Sequence, residues 1–245
     1  MPVILCHGPK GGTGTTFVAA HLAMGLSAEG ADVTVLTFAA RDTMPLHFGL
    51  SQAISLPSLT APADEAVLVG GINLRHWTRS ADDADLLPML NDLGYLSPGK
   101  DRVMVLDVPS GDWRAARRIA QAACAHVCPL TVQPDSLALL PQMFDEAGTD
   151  GLSRTAFVIN ALDETRRLSR HGAAFVRELA GQRLIGRIRS DEAVPEAMAM
   201  LQPLSRYAPA SAALSDVRAI SAKLVDALHS TDPVWIAPSA ASRAA

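Results

Sequence analysis

Lys10, three glycines and three threonines share seven consecutive positions, K-G-G-T-G-T-T. They follow the short apolar run Val3 to His7, closed by Gly8 and Pro9. A glycine-rich turn between a strand and a helix lets successive backbone N–H groups point inward, and the helix start adds partial positive charge. That is a cradle for phosphate. Gly11, Gly12 and Gly14 supply the turn, with Thr13 and Thr15 between and after them. Thr16 stands where a hydroxyl would ligate Mg²⁺. The general phosphate-loop pattern G-x-x-x-x-G-K-[ST] nevertheless fails at two positions, with Pro9 for the first glycine and Thr15 for the lysine. By itself the loop leaves a second reading open, a strand-to-helix turn that carries no ligand.

Two further residues belong to the same chemistry. Asp107 ends the apolar stretch "VMVLD" and is placed to hold Mg²⁺ through water; Asn160 ends "AFVIN". Taken singly, the aspartate can equally cap a turn and the asparagine can be an ordinary loop residue. Their order behind the loop is what joins them to it.

The loop resembles the deviant Walker A motif of the ParA/MinD family of P-loop NTPases, K-G-G-x-G-K-T. That resemblance implies an ATP and Mg²⁺ site and a homodimer with the nucleotides sandwiched between subunits. Lys10 is then the signature lysine that reaches the partner's nucleotide. It also implies that Gly11, Gly12, Thr13, Gly14, Thr15, Thr16 and Phe17 surround the phosphates, that Thr16 and Asp107 serve the metal, and that Asn160 bonds the adenine edge. The stretch "LIGRIRSDEAVPEAMAMLQPL" is similar to the family's late strand, base-contacting loop and helix, with Arg189 where a proline is usual. The resemblance runs from Val3 to about Leu228. Within the family, "GGTGTTF" is similar to the branch that lacks the second lysine, the BcsQ/YhjQ proteins of bacterial cellulose-synthesis operons. This implies support for assembly, activation or placement of the cellulose synthase complex at the inner membrane, with BcsR and BcsE as associated partners.

The substitutions bear on turnover. A lysine at position 15 would bridge phosphates through a charge-assisted bond of roughly 1.5–3 kcal/mol, whereas Thr15 offers one neutral hydrogen bond. Lys10 of a partner subunit would then supply the missing charge, so ATP binding and dimerisation are expected to be linked. Active relatives end the second strand in D-x-D; here Thr37 and Ala39 hold those places, and an alanine can neither orient water nor accept a proton. Phe17 replaces a threonine that touches the α-phosphate. Asp42 is a weak substitute for the missing carboxylate, with a helix cap the preferred reading. ATP binding with slow or absent hydrolysis is the expectation. The alternatives are a DNA-binding partition-type ATPase and a degenerate interaction module that binds no nucleotide.

These residues need a scaffold. Seven apolar runs read as strands: Val3 to His7, "ADVTVLTF", "INLRHW", "DRVMVLDVPSG", "HVCPLTVQP", "RTAFVIN" and "QRLIGRI". Helical patterns lie between them, from Gly14 to Gly30, Asp112 to Ala123, Ser136 to Ala147, Thr165 to Leu179, Asp191 to Met200 and Ser211 to Leu228. Alternation of this kind predicts an α/β fold, a single doubly wound domain over 1–236 with a mostly parallel sheet of seven or eight strands, and a flexible tail over 237–245. The segment from Ser51 to Gly70 reads as a connection.

Composition agrees with a packed domain: 245 residues, 49% hydrophobic and 19% charged. A net charge of −4 excludes a wholesale basic surface for nucleic acid, and no specific nucleic acid is expected as a partner. Arg114, Arg117 and Arg118 share roughly one helix face, read as solvated. Cys6, Cys124 and Cys128 imply no disulfide framework, and packed thiols are preferred to a metal site. The N-terminus carries no leader pattern and no apolar run spans a bilayer, so a soluble, cytoplasmic protein without membrane insertion is expected. The amphipathic "DVRAISAKLVDALH" is read as packing on the sheet.

Overall fold

The computed structural model describes residues 2–39, 43–77, 86–95, 102–143 and 155–229. Asp42, the tail over 237–245 and the end of the expected helix beyond 143 lie outside them.

In chain order the elements are β1 (Val3–Cys6), α1 (Thr15–Ala28), β2 (Asp32–Thr37), α2 (Met44–His47), β3 (Val67–Val69), β4 (Ile72–His76), α3 (Leu86–Asp92), β5 (Arg102–Asp107), α4 (Trp113–Ala122) and β6 (Ala125–Leu130). Then follow α5 (Pro134–Leu137), α6 (Leu140–Met143), β7 (Thr155–Leu162), α7 (Arg167–Ala180), β8 (Leu184–Arg189), α8 (Ala193–Ala199), α9 (Leu204–Tyr207) and α10 (Ala212–His229).

The strands form one eight-stranded sheet in the order β3-β4-β2-β5-β1-β6-β7-β8. Every pairing is parallel except β3 with β4. The α/β expectation and the strand number therefore hold. Strands buried on both faces need apolar residues at every position, which is why β1 reads Val-Ile-Leu-Cys without alternation. Successive side chains still divide between the faces. Ile4 and Cys6 join Val33, Val35, Val103, Val105 and Val127 in a core against α1 and α10. Val3 and Leu5 join Leu36, Met104 and Leu106 against α3 and α4. A third cluster of Cys128, Leu130, Phe157 and Ile159 packs against α7.

Two sequence expectations need correction. Val67–Val69 is a strand, not a connection, and pairs antiparallel with β4 through a tight turn at Gly70 and Gly71 (φ 57° and 83°). Two consecutive positive φ angles define the primed hairpin turn that only glycine and a few polar residues adopt readily. The expected helix from Ser136 is two short helices, α5 and α6, with Pro141 inside the second. Short helices α3 and α9 had no sequence reading, and α2 follows Asp42 where a capped helix was expected. The expectation for the last helix held: Ala213, Leu214, Val217, Ile220 and Leu224 of α10 are buried in the α1-side core.

Candidate functional site

The register of the central strands assembles the site. Cys6 at the end of β1 pairs with Asp107 at the end of β5, and Asp107 pairs with Thr37 at the end of β2. The loop from His7 to Gly14 thus leaves the sheet beside Asp107, at the carboxyl edge where open parallel sheets bind ligands. Gly14 precedes α1 with φ 85°, and no side chain caps the helix. The first-turn N–H groups therefore face outward as donors.

A cavity of about 330 Å³ opens there, lined by Lys10, Gly11, Gly12, Gly14, Thr15, Thr16 and Phe17 on the loop side and by Ala39, Thr43, His47, Asp107, Pro109 and Ser110 opposite. The loop is braced from within: the Thr13 hydroxyl donates to the Lys10 carbonyl at 3.2 Å. Asn160 braces it from β7, its Nδ2 donating to the Thr13 carbonyl at 2.9 Å. A Cβ on Gly14 would lie 2.0 Å from that Nδ2, so the amide occupies the space a side chain would need.

A second cavity of about 300 Å³ adjoins the first, and Phe17 and His47 line both. Asn160, Arg189, Asp191, Pro195 and Met198 complete much of its wall. The Arg189 guanidinium is committed elsewhere, gripping Asp216 through Nε and Nη2, both at 2.8 Å. Asp191 is a fixed brace: it accepts from Ser211 Oγ at 2.6 Å and from the backbone of Ala193 and Ala213. The Ser211 hydrogen bond holds its carboxyl below the usual range, against a smaller opposing effect of burial.

At the junction of the cavities three rings cluster: Phe17 lies 4.2 Å from His21, tilted, and 5.8 Å from His47, edge to face, and the two imidazoles meet edge to face 5.5 Å apart. Burial lowers the His21 pKa to about 4, and burial with the neighbouring His21 lowers that of His47 to about 3. Both are neutral at physiological pH, so the junction presents a polar edge without charge.

Lys10 is not idle in the single chain. Its Nζ meets Asp135 Oδ2 at 2.7 Å, a pair spanning 125 residues. The Lys10 hydrogen bond pulls the Asp135 carboxyl below its ordinary value. At the places of the D-x-D pair, Thr37 is fully buried and accepts the Ala39 N–H at 3.3 Å, while Ala39 presents a methyl to the first cavity.

Of the sequence-derived candidates, Lys10, Gly11, Gly12, Gly14, Thr15, Thr16, Phe17 and Asp107 line the first cavity. Asn160 and Arg189 line the second, and Thr13 supports the loop from below. Asp135, His47, Thr43 and Ser110 were missed. Ser110 had a legible signal, three residues beyond Asp107; the others meet the loop only through the fold. His126 is packed, with Nδ1 2.7 Å from Thr155 Oγ1 and Nε2 3.2 Å from the His7 carbonyl. The Cys124 thiol donates to the Val3 carbonyl. Among the described residues no group of three or more His, Cys, Asp or Glu is arranged to hold a metal, and no helix is long and apolar enough to cross a membrane.

A family model described as cellulose biosynthesis protein BcsQ matches residues 77–224, more than half of the chain. No curated protein gives a significant match. Solved structures share the fold at low identity. The MinD cell division protein of Aquifex aeolicus is 13% identical with a TM-score of 0.75, over 92% of this chain and 97% of that one. MinD of Pyrococcus horikoshii, complexed with Mg-ADP, is 18% identical with a TM-score of 0.69, over 93% and 96%. A plasmid partition protein of Borrelia burgdorferi bound to AMPPNP is 16% identical with a TM-score of 0.63, over 91% and 99%.

Proposed function

The chain belongs to the cellulose biosynthesis protein BcsQ family and has the fold of MinD and ParA ATPases, and from that premise we propose that it binds Mg-ATP as a homodimer and turns it over slowly or not at all. The observation that carries the reading is the paired cavity at the start of α1. One half is lined by backbone donors, hydroxyls and a carboxylate, the other by Asn160 and apolar side chains, and Phe17 and His47 join them. The two volumes together suit a ligand with an anionic end and a flat, weakly polar end.

The donor set fits the groups. The N–H groups at the α1 start and the Thr15 and Thr16 hydroxyls would hold phosphate oxygens. The Thr16 hydroxyl and the Asp107 carboxylate, both hard oxygen ligands, would hold Mg²⁺, with water completing the shell. The metal neutralises phosphate charge when bound. The Asn160 Nδ2 bonded to Thr13 keeps a second N–H, and its Oδ1 is an acceptor; both suit an adenine edge. Arg189 frames the base pocket from its rim while its charge stays with Asp216.

Lys10 acts in trans in this reading. It must leave Asp135 to reach a partner's phosphates, so the intrachain pair competes with the dimer. The Ala39 methyl leaves a water in the first cavity without a base from β2, which supports slow turnover. ATP then serves as a clamp. The dimer is proposed to act with the cellulose synthase machinery, recruited from the cytoplasm to the inner membrane, with BcsR and BcsE as associates. The solved relatives named with Mg-ADP and AMPPNP support the nucleotide class.

The test is equilibrium binding of ATP and Mg²⁺ to the purified chain together with phosphate release at saturating nucleotide. Saturable binding with little release is expected. No binding removes the proposal, and release comparable with active family ATPases removes the clamp.

A further inference from the structure

A third cavity, of about 240 Å³, lies outside this site on the opposite face of the sheet. Phe38 and Trp77, the residues that follow β2 and β4, form its floor, and Leu86, Leu87 and Ile119 form apolar walls from α3 and α4. The floor is built: the Trp77 N–H donates to the Thr37 carbonyl at 2.8 Å, and the two rings lie 6.5 Å apart. Into this apolar chamber comes one cation. Arg118 lines it, and its Nη1 is buried without a hydrogen-bond partner.

This separates Arg118 from its neighbours. Arg114 and Arg117 are exposed, as a solvated face requires, but Arg118 is half-buried. Buried charges are rare unless paired, because a guanidinium N–H that has left water needs an acceptor. Here the acceptor's place is the cavity. The apolar walls select an apolar body and the unsatisfied Arg118 Nη1 selects an anionic end, with Gln121 the other polar side chain among the described lining residues.

We propose that the chamber between α3 and α4 binds a small amphipathic anion, an aliphatic or aryl carboxylate whose head meets Arg118 and whose tail packs on Phe38, Trp77 and Ile119. The volume limits the ligand to roughly ten non-hydrogen atoms. None of this depends on the nucleotide reading, since no residue of the chamber lines the two cavities at the α1 start.

Octanoate and octanol are the probes, because they share the tail and differ in the head. Titration calorimetry on the full chain is expected to show octanoate binding at roughly millimolar strength or tighter, with octanol about ten- to a hundredfold weaker, the worth of one charge-assisted hydrogen bond. Arg118→Met keeps the packing stem and removes the charge, and is expected to bring octanoate down to the octanol level. The wild-type comparison needs no variant, so a folding defect in Arg118→Met leaves the test intact. Equal binding of the two probes, octanoate binding that survives Arg118→Met in a folded protein, or no binding of octanoate at about tenfold the expected constant overturns the proposal.

Discussion

Gly14→Ala examines how the loop is held. Two costs are readable. Gly14 has φ 85°, a conformation that costs an L residue about 1–2 kcal/mol. The added Cβ would also sit 2.0 Å from Asn160 Nδ2, so that amide must move and lose its bond to the Thr13 carbonyl. Breaking a buried hydrogen bond and stranding its partner costs roughly 1–3 kcal/mol. The sum is about 2–5 kcal/mol. The costs separate in a double-mutant cycle, because Asn160→Ala removes both the clash and the bond. In that background Gly14→Ala retains only the backbone cost, so the cycle is expected to show a coupling of roughly 1–3 kcal/mol. Urea unfolding of the four proteins measures it. Effects that add within about 0.5 kcal/mol would refute the claim that Asn160 holds the loop through Gly14.

Other expectations follow from the same contacts. Asp135→Asn releases Lys10 and is expected to tighten ATP-dependent dimerisation several-fold at most, since an exposed ion pair is weak; weaker association in sedimentation would count against the competition. Ala39→Asp returns a carboxylate to the first cavity and is expected to raise phosphate release at least about tenfold if water positioning limits the rate; an unchanged rate would place the limit elsewhere. His7, His21, His47 and His126 have pKa values lowered, chiefly by burial, to about 4, 4, 3 and 3. Groups with lowered folded pKa values stabilise the fold above their unfolded pKa, near 6.5, and that contribution is lost as pH falls toward the folded values. Each costs up to about 1.4 kcal/mol per pH unit in that window. The urea midpoint is therefore expected to drop steeply from pH 7 to pH 5, and a flat midpoint would mean that the imidazoles are not buried neutral.

The central strands were legible because they bury both faces and so read as apolar runs, such as Val-Ile-Leu-Cys in β1 and Val-Met-Val-Leu in β5; β4 and the edge strand β8 carry polar residues and stood out through their apolar positions alone. The eighth carried its signal in Gly70-Gly71, a turn marker beside a three-residue strand too short to show a period. Loop residues from Lys10 to Phe17 were legible because local backbone geometry places them together. Asp135 was not, since nothing within the α5 sequence points to a lysine 125 positions away. Nor was His47, whose meaning arises only when α2 folds over Phe17 and His21. Arg118 looked like a surface residue because helical spacing groups it with Arg114 and Arg117. Its burial depends on where α3 lies, and no helix had been read there.

In the proposed function, nucleotide and subunit association stabilise one another through Lys10. Particle mass by light scattering, with and without Mg-ATP, tests it most directly. Mg-ATP is expected to shift the mass from one chain to two, and Lys10→Ala is expected to lose that shift. A mass that stays at one chain with saturating Mg-ATP would contradict it.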